Sequence, residues 1–372
     1  MLLTDTNIQP FGEISNYRKT FVITVLQLFC GFGGRANLLN LSRNCSFCEK
    51  TFHRNFAEEF DFSWFNSKSL SFIANPVMVV DASFLHKNGT KTEHLGTYWC
   101  GKDGKAIKGL EIHSFAIVDT DNFTANHLKA FQTPSSIPNG TRMDKYTQDT
   151  QSLLSYLPKN LHYVVADGFY AKLKMVIGVI EMGLDLISRL RSDANLKYPE
   201  DTKSKSNWKK VDFKDLSQLT QSVDKKYFYG VVYSVRFKRL ILLVSTQRQG
   251  KTINLFSTDI NIDPETLMRY YKSRFQIEFL FRDAKQHTGL TESQTRKSSK
   301  IEFHVNMSLS AINIARMQNP PENKFSMASS KQHYFNKYLL NFIESQLGDL
   351  AELFKSHLNY KDWLNFAVIH PF

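Results

Sequence analysis

Residues 264–287 read PETLMRYYKSRFQIEFLFRDAKQH, and how this stretch winds decides how the rest of the chain is understood. Asp263 just before Pro264 is a helix start: an acceptor side chain at the N-cap, then proline at the first helical position. The stretch predicts one helix from about Pro264 to His287. Along it, Tyr271, Arg274, Glu278 and Lys285 fall in a single stripe roughly 60° wide, at about 100° per residue. Much of the remaining surface is apolar (Phe275, Ile277, Phe279, Leu280, Phe281). A mostly apolar helix is normally buried, so this one is expected to press a polar stripe against something it serves. The plainer reading is a core helix whose Arg274 and Glu278 form an i,i+4 ion pair.

Upstream, Val77–Val80 is an apolar run ending at Asp81, and Asn88-Gly89 marks a hairpin turn. Gly109–Thr120 reads as a strand, residues 133–147 as a loop, and Asp149–Leu157 as a helix. A strand from Leu161 to Ala166 ends at Asp167. A helix over Ala171–Met182 and a strand over Leu184–Arg189 follow. Strands alternating with helices predict an α/β core. Residues 195–255 are different, with β-rich runs at Tyr227–Val235 and Leu240–Thr246, and thirteen Lys or Arg against five Asp or Glu.

The N-terminal part, residues 14–65, has helical periodicity: Tyr17–Phe29, then Arg35–Arg43, then a third segment from Ser46 to about Phe60. Ser46 and Glu49 have the spacing of a capping box. The third helix displays Lys50, Thr51, His53, Arg54 and Asn55, side chains suited to phosphates or base edges, in the layout of a helix-turn-helix reader. From His304 to Phe372 the pattern is mainly helical, broken at Pro320-Pro321.

The spacing Tyr-x2-Arg-x3-Glu-x6-Lys resembles the Y-R-E-K signature of insertion-sequence DDE transposases. In that family two Asp and the Glu of the signature bind divalent metal in a ribonuclease H-like fold. Asp81, in Val-Met-Val-Val-Asp-Ala-Ser-Phe, matches the first Asp, and Asp167, in Tyr-Val-Val-Ala-Asp-Gly-Phe-Tyr-Ala-Lys, the second. Gly109-Leu110-Glu111 and Ser188-Arg189-Leu190-Arg191 are similar to core segments of the family, and the resemblance is good over residues 76–290. It implies that Asp81, Asp167 and Glu278 are catalytic metal ligands for two Mg²⁺ ions, replaceable by Mn²⁺. It implies further that Tyr271, Arg274 and Lys285 touch phosphates, and that residues 195–262 are a β-rich insertion contacting DNA. Phosphodiester cleavage suits these residue types, because a hard cation selects carboxylates and a guanidinium fork matches phosphate.

The whole chain has 47 basic and 35 acidic residues, net +12, which favours a polyanionic partner. The apolar run Phe21–Phe29 is shorter than the roughly 20 residues of a membrane span. No secretory pattern opens the sequence, and four cysteines do not make a disulfide framework at this length, so a reducing cytoplasm is expected. Cys45-x2-Cys48 before His53 has no second ligand pair for zinc, and Gly31–Gly34 has no Lys-Ser/Thr ending for a nucleotide loop. The resemblance also makes Trp208 a candidate to stack on a displaced base, although packing within its own segment is the plainer reading. Asp185 is the decoy should the second ligand not be Asp167.

The expectation is an α/β fold, a ribonuclease H-like mixed sheet flanked by helices. Its divisions are a helical DNA-binding domain at 1–70, core at 71–194, the basic insertion at 195–262, the last core helix at 263–300 and a helical region at 301–372. The expected function is a DNA transposase binding the terminal inverted repeats of its element, homodimeric on double-stranded DNA, with no nucleotide cofactor. Lys50, Arg54, Trp208, Lys209 and Lys210 are expected as further DNA contacts. The alternatives are an inactive DNA-binding derivative and a ribonuclease H-like nuclease without strand transfer.

Overall fold

A computed structural model describes residues 14–369, apart from 69, 71–72, 102, 192, 199–207, 214, 249–250 and 320–323. Four helices come first: α1 (Asn16–Gly31), α2 (Leu38–Ser42), α3 (Glu49–Ala57) and α4 (Phe62–Lys68). Ser15 caps α1 by accepting the Arg18 N–H. The capping box expected at Ser46 does not form. Cys48 is the N-cap of α3, with no side-chain capping bond. Phe47 packs edge-on between Tyr17 and Phe21, at 5.7 and 5.4 Å between ring centres, and the chain is still bending there before the helix starts.

Next come β1 (Pro76–His86), β2 (Gly96–Cys100), β3 (Lys105–Asp119) and β4 (Thr124–Gln132), then α5 (Arg142–Gln151), β5 (Tyr163–Ala166), α6 (Leu173–Glu181) and β6 (Asp185–Leu190). Helix α5 begins inside the stretch read as a loop. Thr141 and Asp144 form a true capping box there, a signal present in the sequence and passed over. The short strands β7 (Leu196–Tyr198), β8 (Lys209–Lys210) and β9 (Thr220–Gln221) precede β10 (Tyr227–Ser234), β11 (Arg239–Arg248) and β12 (Lys251–Ser257). Helices α7 (Pro264–Ser273), α8 (Phe275–His287), α9 (Ser298–Met317), α10 (Met327–Leu347), α11 (Ala351–Lys355) and α12 (Tyr360–Leu364) complete the described chain.

All twelve strands described join one mixed sheet, ordered β2-β3-β1-β5-β6-β12-β11-β10-β7-β8, with β4 on β3 and β9 on β10. The central strands β1, β5 and β6 are parallel, as the crossover through α6 requires. The basic segment after β6 is no separate sheet. It returns as β12 antiparallel to β6, so its strands extend the core sheet.

Alternation along β1 divides the interior in two. Val77 and Val79 enter an apolar core with α1, α3, α8 and α9, while Met78 and Val80 enter another with α5 and α6. Side chains at successive strand positions point to opposite faces, so both faces of the sheet are covered. The N-terminal helices share the first of these cores with α9: Phe21, Phe52 and Phe56 pack with Phe303 and Ile312.

β4 pairs with β3 alone, and its other edge is closed by side chains of α9. The Asn306 carboxamide accepts the Ala130 N–H and donates to the Ala130 carbonyl, while Asn313 does the same for His127. Buried backbone groups need such partners, and the asparagines replace a missing strand. Asn306→Ala is predicted to lower stability by about 2–4 kcal/mol by leaving both Ala130 groups unpaired. The check is a denaturant midpoint, and an unchanged midpoint would show that α9 does not close this edge.

Candidate active site

The register of β1 and β5 places the first two carboxylates. Val80 lies beside Ala166, so the next residue on each strand, Asp81 and Asp167, falls at neighbouring positions. Asp81 has the parity of Val77 and Val79, and Asp167 that of Val165, all in the core on the α8 side of the sheet. Glu278 stands on α8, which packs over β1. Asp81 is not at a strand end, as its apolar run suggested. β1 continues antiparallel to β3 as far as His86, and only the parallel pairing to β5 stops before Asp81.

The helix carrying the polar stripe is two helices. α7 ends at Ser273 and α8 starts at Phe275, with Arg274 at the joint in right-handed helical geometry. The turn tightens there: the Arg274 N–H donates to the Tyr271 carbonyl and the Ile277 N–H to that of Arg274, both three residues back. Two aromatics expected to be buried are exposed instead, Phe275 at 45% and Phe279 at 43%, beneath the guanidinium groups of Arg274 and Arg282. The buried side of α8 is narrower: Ile277, Leu280, Phe281 and Ala284.

Arg274 is buried between the acids. It donates to Glu278 at 2.7 Å and lies 3.8 Å from Asp81. The i,i+4 ion pair of the plainer reading is therefore present, and it extends to a carboxylate on another element. Burial alone would weaken the charge on Arg274, and the two acids outweigh it. Asp81 is pushed up to about 7, first by burial and then by the charges of Asp167 and Glu278, with Arg274 and the Ala82 N–H opposing. Asp167 accepts the Phe169 N–H at 2.9 Å, and Ser188 bonds its main-chain carbonyl.

Burial, with the charges of Asp167 and Glu278 adding to it, holds a proton on Asp81 near neutrality, and carboxylates are the donors that suit a hard divalent cation. As placed, though, no three His, Cys, Asp or Glu side chains among the described residues sit close enough to hold an ion together. Glu278 is turned to Arg274, so the guanidinium supplies the positive charge.

The remaining stripe residues surround this centre. Tyr271 lies against Arg274, its ring centre 6.0 Å from the guanidinium carbon, and feels the charges of Arg189 and Asp167. Lys285 reaches the Phe84 carbonyl on β1 at 3.4 Å, beyond Asp81. Asp185 opens β6 at the other end of the parallel strands, accepting from Thr258. Lys50 and Arg54 are exposed on α3, and Arg54 bonds the Tyr17 hydroxyl. Asn55, on the same helix, is buried against Arg18. Trp208 packs on Tyr233 with ring centres 4.9 Å apart, as in its plainer reading. Lys209 and Lys210 form the exposed strand β8 beside β7. Cys45 and Cys48 are free, and Cys48 meets Thr51. Sequence reading missed Lys172, Arg142 and Arg236. Only the basic side chain after Asp-Gly-Phe-Tyr-Ala was a visible sign, because the other two come near Lys172 through tertiary structure alone.

Residues 74–314 match the family described as the transposase DDE domain. No curated protein matches the chain. Among solved structures, a piggyBac transposase synaptic complex with hairpin DNA is 12% identical, with 96% of this chain and 78% of that one covered and a TM-score of 0.47. An endonuclease V from Bacillus subtilis is 14% identical, with 61% and 83% covered and a TM-score of 0.28.

The raised Asp81 carries a signed pH dependence. The unfolded chain loses this proton near the ordinary 3.8 and the folded chain near 7, so stability falls as pH rises between them. Asp81→Asn is therefore predicted to stabilise the metal-free chain at about pH 8, by on the order of 2 kcal/mol, with the gain vanishing below about pH 4. Thermal unfolding across that range in chelator checks it. A gain independent of pH would contradict the assignment.

Proposed function

We propose, from the premise that the chain belongs to the transposase DDE domain family, that it is a DNA transposase acting by cut-and-paste. The observation that carries the reading is the gathering of Asp81 and Glu278 on one buried guanidinium, with Asp167 on the neighbouring strand position and acting on the charge of Asp81. The central order β3-β1-β5-β6, with the first pair antiparallel and the rest parallel, supports a ribonuclease H-like core.

Asp81, Asp167 and Glu278 would hold divalent metal, two Mg²⁺ or Mn²⁺ ions, which when bound activate the attacking water and steady the leaving oxygen. The chain's own residues do the rest. Arg274, buried and permanently charged, keeps the acids close before DNA arrives. Its fork matches phosphate once the acids have another cation to face. Tyr271 and Lys285 flank it for the same DNA strand. Water attacks the phosphodiester at the element end, the P–O3′ bond breaks, and the 3′ oxygen leaves as hydroxyl. That hydroxyl then attacks a target phosphate, and the target's own 3′ oxygen leaves in turn, so neither ATP nor a covalent protein intermediate is needed.

Double-stranded DNA is the proposed partner, gripped by the terminal repeats through α3 and by the basic strands after β6, with a homodimer holding two ends. The five divisions made on the sequence stay part of this reading. Within it, residues 14–68 form the recognition unit and the strands β7–β12 the insertion.

Asp167→Asn and Glu278→Gln are each predicted to lower Mn²⁺-dependent cleavage of a duplex carrying the inverted repeat that flanks the gene by about 10³-fold or more. Binding of the same duplex in a gel shift should stay within a few-fold. Full cleavage by either variant would sink the assignment.

A further inference from the structure

Beside Asp167 the rim of the sheet carries a second set of cations, two of them at the starts of helices on the face away from α8. Lys172 lies five residues past Asp167, at the start of α6, with its ammonium 4.0 Å from the centre of the exposed Phe169 ring. Arg142 begins α5, and the two helix starts are tied together where Lys174 bonds Asp144 at 2.7 Å. Arg236, in the turn between β10 and β11, lines a cavity of about 200 Å³ with Ala171, Arg191, Asp193 and Asn195.

Acidic groups offset this set only in part. Glu111 pairs with Arg142 at 3.1 Å, and Asp193 with Arg191 at 3.1 Å. Arg236 has no ion-pair partner among the described residues, and Asp167 is the acid that favours the charge on Lys172. Burial, Arg236 and Arg142 all act against that charge. Like charges gathered beside a catalytic carboxylate cost stability unless an anion joins them.

We propose that Lys172, Arg142 and Arg236 form a phosphate-binding wall for the target DNA, separate from the wall of Tyr271, Arg274 and Lys285. This rests on the reading of the chain as a transposase. The geometry favours the target over the element end. Joining brings two DNA segments to one set of carboxylates, and the two walls belong to elements on opposite faces of the sheet. Tyr271, Arg274 and Lys285 stand on α7 and α8, which pack in one core, whereas Arg142 and Lys172 begin α5 and α6, which pack in the other, and Arg236 belongs to the strands beyond β6. Phe169, exposed beneath Lys172, gives the wall an apolar surface for a distorted target base.

The test uses the full chain, a duplex bearing the flanking inverted repeat for cleavage, and the same end pre-cleaved, with a supercoiled plasmid as target, for joining. In Arg236→Gln the ratio of joining to cleavage is expected to fall tenfold or more, and Arg236→Lys should restore most of it. Arg142→Gln, which leaves Asp167 and Lys172 in place, should act in the same direction. The slope of log affinity for target against log salt should become shallower by about one for each cation removed. An unchanged ratio in both glutamine variants overturns the proposal. So does an equal loss of cleavage and joining, which would assign the wall to the element end. Asp167→Asn is the control for the parent reading: if it still cleaves, the transposase reading fails, whereas its inactivity beside an unchanged Arg236→Gln ratio removes only the target wall.

Discussion

The site depends on one register. Had β1 and β5 paired one residue differently, Asp81 or Asp167 would face the core of α5 and α6, and the pair would be split across the sheet. Val80 beside Ala166 forbids that slip, because it would also drive valines out of both cores at once. The apolar residues before each Asp are thus a positioning device. Their burial fixes where a charge can stand, in a region where an isolated carboxylate is costly.

Arg274 answers that cost. A guanidinium shared between Asp81 and Glu278 offsets the repulsion between the two acids. The joint between α7 and α8 serves the same end. A tightened turn joins the two helices at Arg274, whose side chain is buried while Phe275 and Phe279 stay outside. Phe275 and Phe279 lie roughly opposite Ile277, Leu280, Phe281 and Ala284 around α8, so the winding of the helix itself keeps those rings outside.

Much of this was legible in the residues. The apolar runs ending at Asp81 and Asp167 declared strands, and Asp263-Pro264 declared a helix start that the structure keeps. Other features were hidden for physical reasons. Nothing marks the joint at Arg274, since neither Pro nor Gly interrupts the stretch. The union of β12 with β6 is a tertiary pairing between segments some sixty residues apart, and no local pattern encodes which strand a neighbour will choose. The start of α3 was misplaced because Phe47 obeys its packing between Tyr17 and Phe21 rather than the capping pattern around it. The buried asparagines of α9 looked like ordinary polar positions until the open edge of β4 gave them partners.

The shared core of α1, α3 and α9 also sets a length. Arg18 bonds the main-chain carbonyls of Asn55 and Glu58, fastening the end of α3 to α1, and Phe56 rests on Phe303 at 4.5 Å. Lys50 and Arg54 are thereby mounted on the same frame as Asp81, with no hinge of glycine or proline inside α3. On the proposed reading of α3 as the DNA reader, the molecule is a caliper: whatever those cations grasp is held at a fixed span from the carboxylates. That span is a property of aromatic packing, and altering it would require remaking a core rather than lengthening a loop.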